Sequence, residues 1–468
     1  MACLAHDYHK TLQQSDPAIP PDPEEHNLQL DNILNEIPNS QRLENPDGST
    51  MNWQITQDQI IHALCLTKNG SATGLDSCPY ELWKTLSALC DSANQNNQIS
   101  FNITKVLAIV FNNICLHRVD PCIDFAKGWM CLIYKKEDQT DISNYRPITL
   151  LNTDYKVLTK VLAVQLMDHI PTLVHEDQAG FIPQQSIFNH IQLAQSIIAY
   201  AENSETNGAI VALDQEKVYN RIHHNYLWKT LEAFHLSQPF ISTIKSLYQH
   251  ATTQVAINGV LSSSFQVKHG VHQGDPLSCP LFDLAIEPLA CKIRNDPLIR
   301  GINIPTAPWN PKIAMFADDT TLFLSKFDRL DNVHESLEHW CTVSEAKFNT
   351  EKTEIIPIGS KDYRVTVITT RKINQLDCEP LNNHIHIAHD DEAVRSLGAW
   401  IGNNTEAMEP WEPILDKIKK DLDWWGRNKP TLYGRKTIVQ VVIGGCTQFL
   451  TKAQGMPPLV KTALIKMT

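Results

Sequence analysis

The segment Met315-Phe316-Ala317-Asp318-Asp319-Thr320-Thr321-Leu322-Phe323-Leu324 joins two apolar runs at a pair of adjacent aspartates. Apolar and β-branched residues on both sides of a short polar reversal predict a β-hairpin. Because strand side chains alternate between faces, only the turn can bring two consecutive carboxylates to one place. Aspartate is also a common turn residue, so the pair taken alone is more typical of a solvated hairpin tip.

A third carboxylate follows an apolar run upstream of this hairpin. The stretch Ala209-Ile210-Val211-Ala212-Leu213-Asp214 predicts a buried strand that ends on an aspartate. Mg²⁺ prefers oxygen ligands, and a few carboxylates plus substrate phosphates make its usual site. Two such ions about 4 Å apart can hold the attacking and leaving oxygens of a phosphoryl or nucleotidyl transfer. Asp214, Asp318 and Asp319 are therefore candidate metal ligands.

A glycine-bearing motif lies between the two acidic segments. It reads Gly270-Val271-His272-Gln273-Gly274-Asp275-Pro276-Leu277-Ser278, and the apolar run 281–290 that follows it predicts a helix. Glycine has no side chain, so it allows a backbone to approach a nucleotide closely.

These motifs resemble, in this order, the palm motifs of reverse transcriptases. The matching segments are 213–220, 272–278, 316–319 and 347–353, with further matches at 132–136, 144–152 and 177–183. The resemblance is to the reverse transcriptases of non-LTR, LINE-type retrotransposons, and the expected subgroup is the fungal Tad-like group. It runs from about Trp53 to the last residue. It implies an α+β right-hand polymerase fold with fingers, a split β-α-β palm and a partial helical thumb. The implied activity is that of an RNA-directed DNA polymerase.

The resemblance also divides the chain into regions. It implies a helical N-terminal extension over 51–114, fingers and palm over 115–402, and the start of a basic thumb over 403–468. The acidic, proline-bearing residues 1–50 predict a solvated linker.

Apolar spacing predicts elements within these regions. They are helices within 57–90, a strand pair over 129–151, a helix from Tyr155 to Ile170, a helix from Leu330 to Lys347 and helices from Pro410 onward.

The resemblance implies catalytic roles for four residues. Asp214, Asp318 and Asp319 would hold two Mg²⁺ ions, for which Mn²⁺ can substitute, with help from the main-chain carbonyl of Gln215. Lys352 resembles the lysine that protonates the departing pyrophosphate.

Further residues resemble those that contact the substrate. They are Lys135, Lys136, Arg146, Gln215, Tyr219, Gln273 and Gly274. In the family, an arginine and a fingers lysine meet the triphosphate, and a bulky residue at the position of Tyr219 excludes the ribose 2′-hydroxyl. Taken singly, such a lysine is usually only solvated, and the tyrosine could equally be a core aromatic. Leu397-Gly398 resembles the turn that grips the primer.

Charge is distributed unevenly along the chain. The net charge of −12 is unusual for a nucleic-acid enzyme. Residues 1–60 hold ten acids and two bases, whereas residues 411–468 hold four acids and ten bases. The basic end is therefore a candidate nucleic-acid face, with a solvated helix surface as the alternative. The implied partners are an RNA template, a DNA primer and dNTPs.

The sequence predicts a soluble, intracellular protein. No apolar run approaches the 18 or so residues that a transmembrane helix needs, so no membrane partner is expected. The twelve cysteines form no Cys-x-x-Cys pair, which indicates scattered reduced thiols. The resemblance implies a nuclear location.

The chain departs from the family pattern at several positions, and most of these changes can arise from one transition in a codon. Charged or polar residues replace an expected glycine at Ser77, Gln184 and Glu345, and Glu137 does so beside the fingers lysines. The glycine expected at position 345 predicts a turn with a positive φ there. Other departures are Gln185 for arginine, Asn189 for aspartate, Val218 for alanine, Asn220 for aspartate and His272 for arginine. The pattern indicates a decaying element, and the end of the chain inside the expected thumb predicts a fragment. The alternative function is therefore a catalytically inactive relic or a nucleic-acid-binding protein that keeps the fold, and a group II intron maturase is a weaker third possibility.

Overall fold

The protein is represented by a computed structural model that describes residues 2–13, 23–44, 54–135, 138–216, 218–272, 274–305, 307 and 309–467. Helices are α1 (Ala2–Thr11), α2 (Pro23–Asn35), α3 (Gln57–Cys65), α4 (Tyr80–Gln95), α5 (Ile103–His117), α6 (Thr153–Met167), α7 (Ile170–Leu173), α8 (Ile187–Ser204), α9 (His224–Ala233), α10 (Gln238–Gln249), α11 (Ser278–Asn295), α12 (Leu330–Ser344), α13 (Lys361–Thr370), α14 (Glu412–Gly426), α15 (Leu432–Val439), α16 (Gly445–Gln454) and α17 (Pro458–Met467).

Strands are β1 (Lys127–Tyr134), β2 (Tyr145–Leu151), β3 (Gly208–Gln215), β4 (Thr252–Ile257), β5 (Val260–Leu261), β6 (Phe265–Gln266), β7 (Ile313–Phe316), β8 (Asp319–Ser325), β9 (Phe348–Ile358), β10 (His386–Ile387), β11 (Val394–Ser396) and β12 (Ala399–Ile401). The mixture of helical layers and largely antiparallel strand pairs is the expected α+β class.

The chain folds into two compact units, each built from separated stretches of sequence. The first unit comprises Met1–Pro183, Gln215–Asn295 and Glu335–Phe348. The second comprises Gln184–Asp214, Asp296–His334 and Asn349–Thr468.

The first unit contains a sheet with strand order β2-β1-β4-β5, and β6 also pairs with β4. β1 and β2 are antiparallel from Gly128↔Leu151 to Tyr134↔Tyr145, whereas β1 and β4 are parallel. The strand pair predicted over 129–151 is therefore confirmed.

The helices predicted for the first unit are also present. Thr56 caps α3 with a full capping box, in which Gln59 bonds back to the main chain of Thr56. This arrangement satisfies two main-chain donors that a helix start otherwise leaves open. α4 begins directly after Pro79, and α6 buries most of its apolar side.

The solvated linker expected over residues 1–50 is wrong for the residues described there. They form α1 and α2, and the side chains of Leu30 and Ile33 are fully buried. Leu30 and Ile33 are three residues apart, so they lie on one helix face. The acidic composition of this segment does not reveal α2, because the acids lie on the exposed side of the helix and its buried side is short.

The second unit contains a sheet with strand order β10-β9-β3-β8-β7. Its buried core combines α8 with the inner faces of this sheet, including Ile198, Ile210, Phe323 and Ile356. The strand predicted over 209–214 and the hairpin predicted over 315–324 are confirmed as β3 and as β7 with β8.

The end of the chain is helical, as predicted, from α14 to α17. Trp411 is buried in the core of this helical region together with Ile418, Leu450 and Leu464. None of the helices in the described ranges is both long and apolar enough to cross a bilayer.

Three positions at which the sequence lacks an expected glycine have left-handed backbone conformations. The φ angles are 57° at Ser77, 67° at Gln184 and 61° at Glu345. α12, predicted to reach Lys347, ends at Ser344 because Glu345 leaves helical geometry. The positive φ predicted at Glu345 is thus confirmed.

We expect Ser77→Gly and Gln184→Gly each to stabilise the protein by up to about 1 kcal/mol. Both side chains are exposed, so each change removes left-handed strain of roughly 1–2 kcal/mol while adding about 0.5–1 kcal/mol of chain entropy. Urea unfolding followed by circular dichroism measures the difference. The control Ala88→Gly, inside α4, should destabilise by about 1 kcal/mol. Destabilisation by all three changes would contradict the strain argument.

Candidate functional site

The carboxyl end of β3 and the turn between β7 and β8 lie at one end of the second unit's sheet. β3 and β8 are antiparallel, and the last pair of their register is Leu213↔Thr320. Asp214 follows Leu213, and Asp319 precedes Thr320, so the register places these two residues at neighbouring positions. Opposed residues of antiparallel strands have Cα atoms about 4.5–5.5 Å apart. The fold thus brings Asp214 together with Asp319 and with the adjacent Asp318.

The turn that carries the two adjacent aspartates is tight. Phe316 pairs with Asp319, which leaves Ala317 and Asp318 as a two-residue loop. Ala317 has a φ of 56°, as the favoured two-residue hairpin turns require. Asp318 is half-buried and Asp319 is exposed, whereas Ala317 and the strand interior are buried. The buried strands therefore present the carboxylates at a solvent-accessible end of the sheet.

Lys352 lies at the same end of this sheet. Its Nζ is 3.4 Å from Oδ2 of Asp214, and the two side chains are 53% and 39% exposed. An ion pair with this exposure contributes little to stability. The ammonium group is accordingly available to contact a bound anion. Gln215, the last residue of β3, has a buried side chain.

The other predicted residues that the structure describes belong to the first unit. Tyr219 is half-buried, and its ring centroid lies 4.8 Å from that of Phe282 in α11. The main-chain carbonyl of Tyr219 accepts a hydrogen bond from Val271 N–H at 2.6 Å. The segment after β3 is thereby fastened to the glycine-bearing motif, with one side of the Tyr219 ring packed on Phe282.

Gly274 occupies a position that only glycine fits. Its φ is 113°, and a Cβ atom there would lie 2.5 Å from the carbonyl oxygen of Thr149 in β2. The motif therefore packs its backbone directly on β2. Gln273 and Lys136, both predicted to contact the substrate, lie outside the described residues.

Lys135 and Arg146 lie on one face of the β1–β2 hairpin. Arg146 pairs with Ile133, and Lys135 N–H donates to Asn144 at 3.0 Å just beyond the end of β1. Side chains two residues apart on a strand share a face, so Lys135 and Arg146 are diagonal neighbours. Both are exposed. The hairpin thus presents a lysine and an arginine side by side.

Asp275 is a buried acid whose special environment the sequence did not reveal. Its Oδ2 accepts a hydrogen bond from Tyr155 Oη at 3.2 Å, and its Oδ1 accepts one from Leu277 N–H at 3.0 Å. Burial raises the pKa of the Asp275 carboxyl to about 6. The only sequence signal was an aspartate just before a helix start, which is typical of capping.

The chain is similar to known proteins. A family profile described as "Reverse transcriptase (RNA-dependent DNA polymerase)" matches residues 133–399, more than half of the chain. The "Transposon TX1 uncharacterized 149 kDa protein" of Xenopus laevis is 29% identical over 324 residues, which cover 68% of this chain and 23% of that protein. The "Retrovirus-related Pol polyprotein from type-2 retrotransposable element R2DM" of Drosophila melanogaster is 26% identical, covering 48% of this chain and 21% of that protein.

A third similar protein is the "RNA-directed DNA polymerase from mobile element jockey" of Drosophila melanogaster, 21% identical over 55% of this chain and 28% of that protein. The chain thus spans less than a third of the length of these relatives. Among solved structures, an apo telomerase from Candida Tropicalis truncated from its C-terminal domain covers 56% of each chain with a TM-score of 0.38 and 16% identity, a likeness too low to support an inference.

The buried Asp275 carboxyl should make stability depend on pH. The folded state binds this proton more tightly than the unfolded chain, in which aspartate titrates near pH 3.9. Stability is therefore lost as the pH rises from about 4 through about 6. Across this window the unfolding free energy of the wild type should fall by roughly 3 kcal/mol relative to Asp275→Asn. Urea unfolding at several pH values measures this difference.

The exposed Asp416→Asn, in α14, controls for the loss of one charge and should run parallel to the wild type. If Asp275→Asn also runs parallel to the wild type, Asp275 does not titrate in this window.

Proposed function

Because the chain belongs to the reverse transcriptase (RNA-dependent DNA polymerase) family, we propose that it is the polymerase region of a non-LTR retrotransposon. In this proposal it adds dNTPs to a DNA primer on an RNA template, and it acts in the nucleus. The observation that carries the proposal is the placement of Asp214, Asp318, Asp319 and Lys352 at one end of one sheet.

The residues at this sheet end fit a pair of Mg²⁺ ions. Three carboxylates and the main-chain carbonyl of Gln215 are hard oxygen donors, which Mg²⁺ and Mn²⁺ prefer. The half-buried or exposed positions of the aspartates leave room for substrate phosphates to complete the coordination. When bound, the ions would neutralise charge that develops on the α-phosphate and on the attacking and leaving oxygens.

The protein's own side chains supply the remaining steps of the proposed reaction. Lys352, beside Asp214, donates a proton to the departing pyrophosphate. Arg146 and Lys135 hold triphosphate oxygens, and the planar guanidinium group can form two parallel hydrogen bonds to them. Gly274 and Gln273 line the templating base and the dNTP.

Tyr219 selects deoxynucleotides in this proposal. The contact with Phe282 holds the ring on one side, so the ring resists displacement by a ribose 2′-hydroxyl. A clash that only the wrong substrate meets is a direct source of specificity.

The second candidate function is an inactive relic that keeps the fold. It is favoured by the left-handed φ angles of Ser77, Gln184 and Glu345, because a side chain is strained at positions where glycine is expected. Further losses would come from Asn220 and Gln185, which stand where the family resemblance implies a charged aspartate and a charged arginine.

Primer extension on an RNA template in the presence of Mg²⁺ distinguishes the two functions. We expect weak or absent extension by the unmodified chain and clear extension by the combined variant Glu137→Gly, Gln185→Arg, Asn220→Asp and Glu345→Gly. Adding Asp318→Asn to that variant should lower the rate by about 10²–10³-fold or more, because the substitution removes a carboxylate that would hold an ion stabilising the transition state. The circular dichroism spectrum should stay unchanged.

Strong extension by the unmodified chain would exclude decay. Failure of the folded combined variant to extend would favour the relic. An active Asp318→Asn variant would remove this residue from the proposed site.

Tyr219 can be tested in the combined variant. Tyr219→Ala should increase the use of ribonucleotides relative to deoxynucleotides by roughly ten-fold or more, whereas Tyr219→Phe, which keeps the ring, should preserve selectivity. Single-nucleotide incorporation with matched rNTP and dNTP measures the ratio. A loss of stability without a change in the ratio would leave Tyr219 with only its packing role against Phe282.

A further inference from the structure

His223, His269 and Glu345 bring their donor atoms together in the first unit. All three ligand atoms lie within 4.8 Å of one another. His223 Nε2 is 3.7 Å from one carboxylate oxygen of Glu345, and His269 Nδ1 is 4.0 Å from the other. The side chains of His269 and Glu345 are 5% and 7% exposed, whereas that of His223 is 32% exposed, so solvent reaches the group from the side of His223.

Main-chain contacts hold the three segments in place. His223 and His269 face each other across an isolated antiparallel bridge. His223 N–H donates to the carbonyl of Ser344 at 2.9 Å, and Ser344 immediately precedes Glu345. The cluster is therefore preorganised by backbone hydrogen bonds.

We propose that His223, His269 and Glu345 bind one divalent transition-metal ion, with Zn²⁺ as the reference ion. Two imidazoles and one carboxylate are a ligand set that Zn²⁺ uses in proteins, with solvent or another donor in the fourth position. Bond lengths of about 2.0–2.1 Å place tetrahedral donors roughly 3.3 Å apart. The donors need to approach by about 1.5 Å at most, which side-chain rotation can provide.

The ligands of this site differ in chemistry from the group formed by Asp214, Asp318 and Asp319 in the second unit. Imidazole nitrogen suits Zn²⁺ and similar ions, whereas Mg²⁺ prefers oxygen alone. The carboxylate of Glu345 would be the one charged ligand of the three and would balance part of the charge of the bound ion.

The ion would fasten three segments that are distant in sequence. His269 precedes Gly270, whose N–H donates to Ile222 at 2.7 Å, and Val271 donates to Tyr219. Metal binding should therefore stiffen the segments that carry Tyr219 and the glycine-bearing motif. The site does not depend on polymerase activity.

The backbone at Glu345 provides a sharp test. Glu345→Gly removes a ligand while relieving the strain of a φ of 61°, so the metal-free variant should be at least as stable as the wild type. After chelation with EDTA, titration calorimetry with ZnCl₂ should show one tight equivalent on the wild-type chain. Zn²⁺ should also raise its Tm by several degrees, because it binds the folded state.

Both effects should disappear in Glu345→Gly and in His269→Ala. Loss of a ligand should weaken zinc binding by at least about 100-fold, since even changes behind the ligands cost 10–100-fold. The matched control is His386→Ala, because exposed His386 also contacts two glutamates, Glu354 and Glu392. This control should bind Zn²⁺ like the wild type.

An unchanged zinc equivalent and Tm shift in Glu345→Gly would overturn the proposal and assign the ion to other donors, such as the free cysteines. Loss of the equivalent in His386→Ala, with retention in His269→Ala, would move the site to His386. An equal Tm shift with MgCl₂, abolished by Glu345→Gly, would contradict the choice of a transition metal.

Discussion

The positions of Asp214, Asp318 and Asp319 relative to one another depend on the register of β3 against β8. Ile210 and Phe323 oppose each other in this register, and both are buried in the core of the second unit. A shift by one residue would turn every side chain of β3 to the opposite face. Both faces of β3 are largely buried, so the packing of its side chains on both sides holds the register. The register in turn places Asp214 beside the turn that carries Asp318. The acids contribute nothing to this choice; they are positioned by the packing of their apolar neighbours.

Much of this arrangement is predictable from the sequence because it is local. The hairpin at Asp318 and Asp319 follows from two apolar runs around a short turn, and the helix cap at Thr56 follows from its spacing to Gln59. Glu345 was expected at a positive φ because a glycine was expected there, and the backbone has that conformation.

What the sequence could not supply depends on long-range contacts. His223, His269 and Glu345 meet only after the chain has folded, and no spacing in the sequence signals such a group. Composition does not reveal α2, because it averages over a helix that exposes Glu24, Glu25 and Asp31 and buries Leu30, Ile33 and Leu34. The environment of Asp275 was equally hidden, because its partner Tyr155 lies far upstream.

The acids of the chain lie in two kinds of environment, which favour opposite charge states of the carboxyl group. Asp275 and Asp283 are buried in the first unit, and burial raises the pKa of each, so the neutral form is favoured where no solvent can stabilise the charge. Asp214, by contrast, keeps 39% of its side chain exposed and has Lys352 beside it. With Asp318 and Asp319 at the same sheet end, acids outnumber the lysine there. Solvent can stabilise that excess of negative charge, and the proposed divalent ions would neutralise it, whereas the surroundings of the buried acids favour their uncharged form.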